Sequence, residues 1–116
     1  MAADNNILKL AENLSGKITE SEEYLNYKKY SEELEKQPDL YAMVNDHRRQ
    51  HFMLQNNQNG RVSYEEYNNF TAKSEELRRS ELVSNFLDAE VGLAKLIQDV
   101  MRAVMSKVDF GTDFLD

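Results

Sequence analysis

Two histidines, His47 and His51, stand one helical turn apart, a spacing that can set two imidazoles against one metal ion. Two ligands fall short of a site, and the stretch His47-Arg48-Arg49-Gln50-His51 lacks the glutamate that the zinc-hydrolase pattern HExxH places after its first histidine. Residues 55–66 align with a twelve-residue calcium loop, with Asn57 and Asn59 at the third and fifth positions, Gly60 at the sixth and Glu66 at the twelfth. Gln55 stands where an aspartate is expected, and Glu66 is the one acidic ligand in the set, too little charge for a hard dication. An Asn-Gly turn followed by the capping box Ser63-Tyr64-Glu65-Glu66 accounts for the same residues. Glu90 falls within an apolar stripe between Leu87 and Ala94, where a lone carboxylate is costly. It is expected to meet a partner on the helix that carries the histidines, either an imidazole or Arg48. His47, His51 and Glu90 are therefore read as buried polar contacts that fix helix register; no nucleophile or third orienting group stands beside them. No catalytic residue, metal or cofactor is assigned.

These side chains ride on helices. The apolar residues Ile7, Leu10, Ala11, Leu14 and Ile18 recur at three and four, predicting a helix over residues 4–18. Thr19-Glu20-Ser21-Glu22 reads as a capping box that opens a second helix, whose face carries Tyr24, Tyr27, Tyr30 and Leu34. Gln37-Pro38 ends it, and Pro38, with no N–H to lose, suits the first turn of a third helix over residues 38–55. The turn at residues 56–60 reverses the chain, and the Ser63 capping box, with Val62 stapled on Tyr67, starts a fourth helix to residue 79. Over residues 81–108, Val83, Phe86, Leu87, Ala94, Ile97, Met101, Val104 and Val108 keep a near-heptad spacing. That is the longest helix and the expected dimerisation element. Residues 109–116 are acidic and aperiodic, and read as a flexible tail outside a single domain at 1–108. The fold class is thus all-α, about five helices in a bundle whose fifth helix is expected to pair with a second copy.

Composition agrees. The chain has 116 residues, of which 41% are hydrophobic, enough for one modest core, and only four Gly and one Pro. A net charge of -7 disfavours direct binding to a phosphate backbone. No apolar run is long enough to span a bilayer and no export signal opens the chain, so a cytoplasmic protein is expected. The absence of cysteine excludes disulfides and thiolate metal sites. The six tyrosines sit at helical spacing in an acidic chain and read as core-edge and interface residues, not as a base-stacking platform.

One combination of residues is specific: Ser21-Glu22-Glu23-Tyr24 with Tyr27, Pro38-Asp39-Leu40-Tyr41, Val44-Asn45, Arg48-Arg49 and Phe52, then Phe86-Leu87, Ala89-Glu90, Ile97-Gln98-Asp99 and Val108-Asp109-Phe110. In these the chain resembles the YlbF/YmcA family of competence-control regulators over nearly its full length. The resemblance implies an all-α bundle, commonly an intertwined homodimer or a hetero-oligomer with paralogues, and no enzymatic activity. It implies action through protein contacts in a complex that modulates mRNA processing by the endonuclease RNase Y and promotes competence, biofilm formation and sporulation. Iron–sulfur clusters held by cysteines, linked to some complexes of the family, are not carried over to a chain without cysteine. The resemblance places Asn45, Arg48, Arg49 and Phe52 along one flank of the third helix, as candidates for partner contact or for completing the fold. A calcium-loop-like sensor and a small helical enzyme stay as alternatives.

Overall fold

The computed structural model describes residues 2–56, 62–109 and 111. The chain forms five helices: α1 (Ala2–Thr19), α2 (Glu22–Glu35), α3 (Pro38–Gln55), α4 (Tyr64–Leu77) and α5 (Glu81–Met105). Among the described residues there is no strand, and no helix is long and apolar enough to cross a membrane. The all-α expectation therefore holds, while Asn57, Asn59 and Gly60 of the calcium-like loop lie outside the described residues, as does the tail beyond Asp109 apart from Gly111.

Local chemistry sets each boundary. The cap of α2 is Ser21, not Thr19: its hydroxyl donates to the Ile18 carbonyl at 2.6 Å and accepts from the Tyr24 N–H at 3.1 Å. The Thr19 hydroxyl donates backward to the Gly16 carbonyl at 2.7 Å, so Thr19 closes α1 instead of opening α2. Pro38 stands in the first turn of α3 as expected. At the other end of α3, Asn56 gives both its backbone N–H and its side-chain amide to the Phe52 carbonyl, at 3.0 and 2.8 Å. Ser63 caps α4 by accepting from the Glu66 N–H at 3.0 Å, and Ser80 caps α5 by accepting from the Val83 N–H at 3.3 Å. The stripe of α5 was expected to stay helical to Val108, but helix ends at Met105, where the Ser106 hydroxyl turns back onto the Ala103 carbonyl at 2.8 Å.

The core is small and lies where α2 crosses the first half of α5. Leu34, Val44, Leu77, Val83, Phe86 and Leu87 are buried, and Tyr27, Tyr30, Leu40, Tyr41 and Leu82 pack against them. Each helix other than α1 contributes, α4 only through Leu77 in its last turn. The corner between α4 and α5 is held by Arg78, which donates to Asp88 at 2.9 Å and to Ser84 at 3.3 Å.

Much apolar surface is left outside this core. Ile7, Leu10 and Leu14 of α1 are exposed, and so are Ile97, Met101 and Val104 of α5. The heptad-like stripe of α5 is thus buried in its first half and bare in its second. The radius of gyration is 18.6 Å, against about 13 Å for a compact chain of this length. The accessible surface is 9478 Å², against roughly 6,500 Å² for a folded monomer of this mass.

Phe86, fully buried at the helix crossing, is the largest such side chain. Replacing it with Ala is expected to cost about 3–5 kcal/mol in urea unfolding, and a loss below ~1 kcal/mol would mean that the α2–α5 crossing is not the core.

Candidate functional site

The polar residues singled out on α3 separate onto two sides of that helix. One side faces α2 and α5. There Arg48 donates through Nε to the Glu90 carboxylate at 2.6 Å, through Nη1 to the Asn45 amide oxygen at 3.0 Å and through Nη2 to the Tyr27 hydroxyl at 3.2 Å. Three helices meet at one guanidinium. Its Cζ also lies 5.2 Å from the centroid of the Phe86 ring, whose other neighbour is the Tyr27 ring at 5.4 Å. An arginine suits this position because its planar fork offers several donors at once and stacks on an aromatic face. Burial alone would lower the Arg48 pKa, but the Glu90 carboxylate and the Tyr27 hydroxyl outweigh it and raise it above its ordinary value. The pair is about a third exposed on each side, so the cation and the carboxylate form a half-buried ion pair at the edge of the core.

The other side of α3 faces α4. His47 is 5% exposed, and its ring stacks on Phe70 at 4.4 Å between centroids and 8° between planes. Its Nδ1 is the one buried side-chain polar atom among the described residues without a hydrogen-bond partner. His51, one turn on, stacks more loosely on the same ring at 5.5 Å and is exposed. The expected set of His47, His51 and Glu90 is therefore divided: Glu90 goes to Arg48, and both imidazoles go to Phe70. His51 does not share the burial of His47. Among the described residues no group of three or more His, Asp or Glu side chains is placed to hold a metal ion.

Between α3 and α4 lies a groove of about 810 Å³, lined by Met43, His47, Met53, Leu54, Phe70 and Lys73 among others. Of the four candidate contact residues, Asn45 and Arg48 are engaged inside the fold. Arg49 lies on the surface beside Asp46 at 3.5 Å, and Phe52, 65% exposed, stands at the groove. Sequence reasoning passed over Tyr27 as an acceptor for Arg48 and Phe70 as the stacking partner of both histidines. The only sign of the second was a phenylalanine set among polar residues, Asn68-Asn69-Phe70-Thr71.

Burial pushes the His47 imidazole below its ordinary pKa of 6.5; the charge of His51, then of Lys73 and Arg78, adds to this, and Asp46 opposes it. The site thus holds an internal ion pair, a neutral stacked imidazole and an open apolar groove, with no nucleophile beside an activating base.

A family model described as control of competence regulator ComK, YlbF/YmcA, matches residues 7–109. No curated protein gives a significant match, and neither does any solved structure.

A double-mutant cycle on Arg48→Ala and Glu90→Ala is expected to give a coupling of about 1–2 kcal/mol, between the values for exposed and buried pairs; a coupling near zero would show the contact to be incidental. Because the folded chain binds a proton at His47 less readily than the unfolded chain, its contribution to stability is intact above pH 6.5 and lost as pH falls below that value through the folded pKa. Unfolding curves collected across this window should show a steeper acid loss for the wild type than for His47→Leu; parallel losses would count against the depressed pKa.

Proposed function

From the premise that the chain belongs to the YlbF/YmcA family of competence-control regulators, we propose that it is a non-enzymatic cytoplasmic adaptor that acts through protein contacts. The observation that carries this reading is the extent of apolar helix surface left outside the core. The whole accessible surface, polar and apolar together, exceeds that of a compact monomer of this mass by about 3,000 Å². Ile7, Leu10 and Leu14 on α1 and Ile97, Met101 and Val104 on α5 form two stripes at helical spacing that a second chain would cover. A homodimer, or a hetero-oligomer with paralogues, is the assembly that fits these stripes. In this reading the ion pair of Arg48 with Glu90 fixes the register of α3 on α5, so that the distal half of α5 is held out for the partner.

The proposed role follows the resemblance: modulation of RNase Y-dependent mRNA processing, and through it of competence, biofilm formation and sporulation. The chain is acidic, so in this role the nuclease contacts the RNA and the helical protein contacts the nuclease or its companions.

Sedimentation analysis should find the wild type as a dimer and Ile97→Asp/Met101→Asp as a monomer of unchanged helicity; a wild-type monomer at every soluble concentration would refute self-association. A tagged chain recovered from its native cells is expected to bring down a ribonuclease together with paralogues, and recovery of itself alone would count against the inherited role.

A further inference from the structure

We propose that His47 is an acid-sensitive latch: the neutral imidazole holds α4 on α3, and a proton taken up by it releases α4 while the crossing of α2 with α5 stays closed. The proposal does not depend on the adaptor reading. Its basis is the place of one ring. His47 is 5% exposed, its imidazole lies flat on Phe70 of α4 at 4.4 Å, and its Nδ1 is buried without a hydrogen-bond partner. A neutral imidazole tolerates that setting, with its proton on Nε2 and Nδ1 left as a bare acceptor. A protonated ring puts a charged N–H at Nδ1, where no acceptor stands, and an unpaired buried donor is costlier still when it carries charge. The Phe70 face returns part of that cost to a cation stacked on it.

The surrounding charges favour the neutral ring. On α3 itself His51 stands one turn on and stacks on the same Phe70 ring. From α4 comes Lys73, and from its C-cap Arg78; these two and His51 all oppose a proton on His47. Lys73 and Arg78 keep counter-ions in Glu76 and Asp88, at 3.9 and 2.9 Å, which moderates their effect without reversing it. Asp46 favours the proton, but its carboxylate lies 3.5 Å from the Arg49 guanidinium. Glu66 of α4 lines the far end of the groove. What a proton loosens is α4, because that helix enters the core only through Leu77 and meets the two imidazoles only through Phe70. The other side of α3 is tied to α5 by Arg48 and Glu90 at 2.6 Å and stays in place. Detached from α3, a helix of 14 residues is marginal by itself, so the released segment frays.

Native-state proteolysis of the full chain reads this opening, with a glutamate-specific protease whose own pH dependence is removed by an unstructured reference peptide. Cuts at Glu75 and Glu76 report α4, and cuts at Glu32 and Glu33 report α2. The ordinary imidazole value is 6.5; lowering the pH from about 7.5 to about 5.5, roughly one unit below it, should speed normalised cutting in α4 by up to about tenfold. The α4 cuts should come first, with α2 still intact. His47→Phe keeps a ring on Phe70 and cannot take a proton, so it should abolish the response; His47→Leu serves as a second non-titrating variant, and whichever keeps wild-type helicity by circular dichroism decides. His51→Gln should retain most of the response. The latch is overturned by an α4 response under about twofold, by first cuts in α2, by a response that persists without His47, or by one that vanishes with His51→Gln.

Discussion

Phe86 is buried from water on every side, and two of those sides are polar in origin: the Tyr27 ring of α2 and the Arg48 guanidinium of α3. A ring in this position binds three helices with one side chain. It supplies apolar area for the α2–α5 crossing and a π-face for a cation whose hydrogen bonds run outward to Glu90, Asn45 and Tyr27. The desolvation that stabilises the ring would penalise an unpaired arginine, so the acceptors around Arg48 are a requirement of the packing. The placement of α3 follows. With its Arg48 side tied to α5, the opposite side, bearing His47 and Met43, is turned toward α4.

This arrangement gives α3 two environments on one helix. The inner side carries internal contacts: Arg48, a polar residue beside an apolar centre, bonds to Asn45, Tyr27 and Glu90. The outer side faces α4, where Phe70 stacks closely on buried His47 and more loosely on exposed His51. The groove runs along the same side, from Met43 and Lys73 at one end to Leu54 and Glu66 at the other.

Much of this was legible in the residues, for reasons that are local. Pro38 and Ser63 mark helix starts through backbone chemistry that needs no tertiary context, and both were read correctly. Thr19 and Ser21 compete for one cap, and the pattern favoured Thr19 because Glu22 stands three residues later. The structure favours Ser21 because the Thr19 hydroxyl is already bonded to Gly16 within α1. The stripe of α5 was visible as a period, but a period cannot say whether its cover comes from the same chain; here Phe86 is covered and Met101 is not. The demand of Glu90 for a cation was legible from its place among apolar residues. The choice of Arg48 over the histidines depended on the angle at which α3 lies, a property of packing that no spacing encodes.

The meagre share of α4 in the core has its own consequence. Leu77 anchors only the last turn of this helix, while the crossing of α2 with α5 unites segments far apart in the chain, as in the contact of Tyr27 with Phe86. Opening α4 sacrifices one buried leucine and the stack on Phe70, whereas opening the crossing sacrifices the entire core. Amide protons of α4 should therefore exchange with solvent through a local opening, well before those of α2 and the first half of α5, whose exchange waits on global unfolding. Opening of α4 alone would leave the crossing of α2 and α5 intact, so the two parts of the molecule would differ in how they meet solvent.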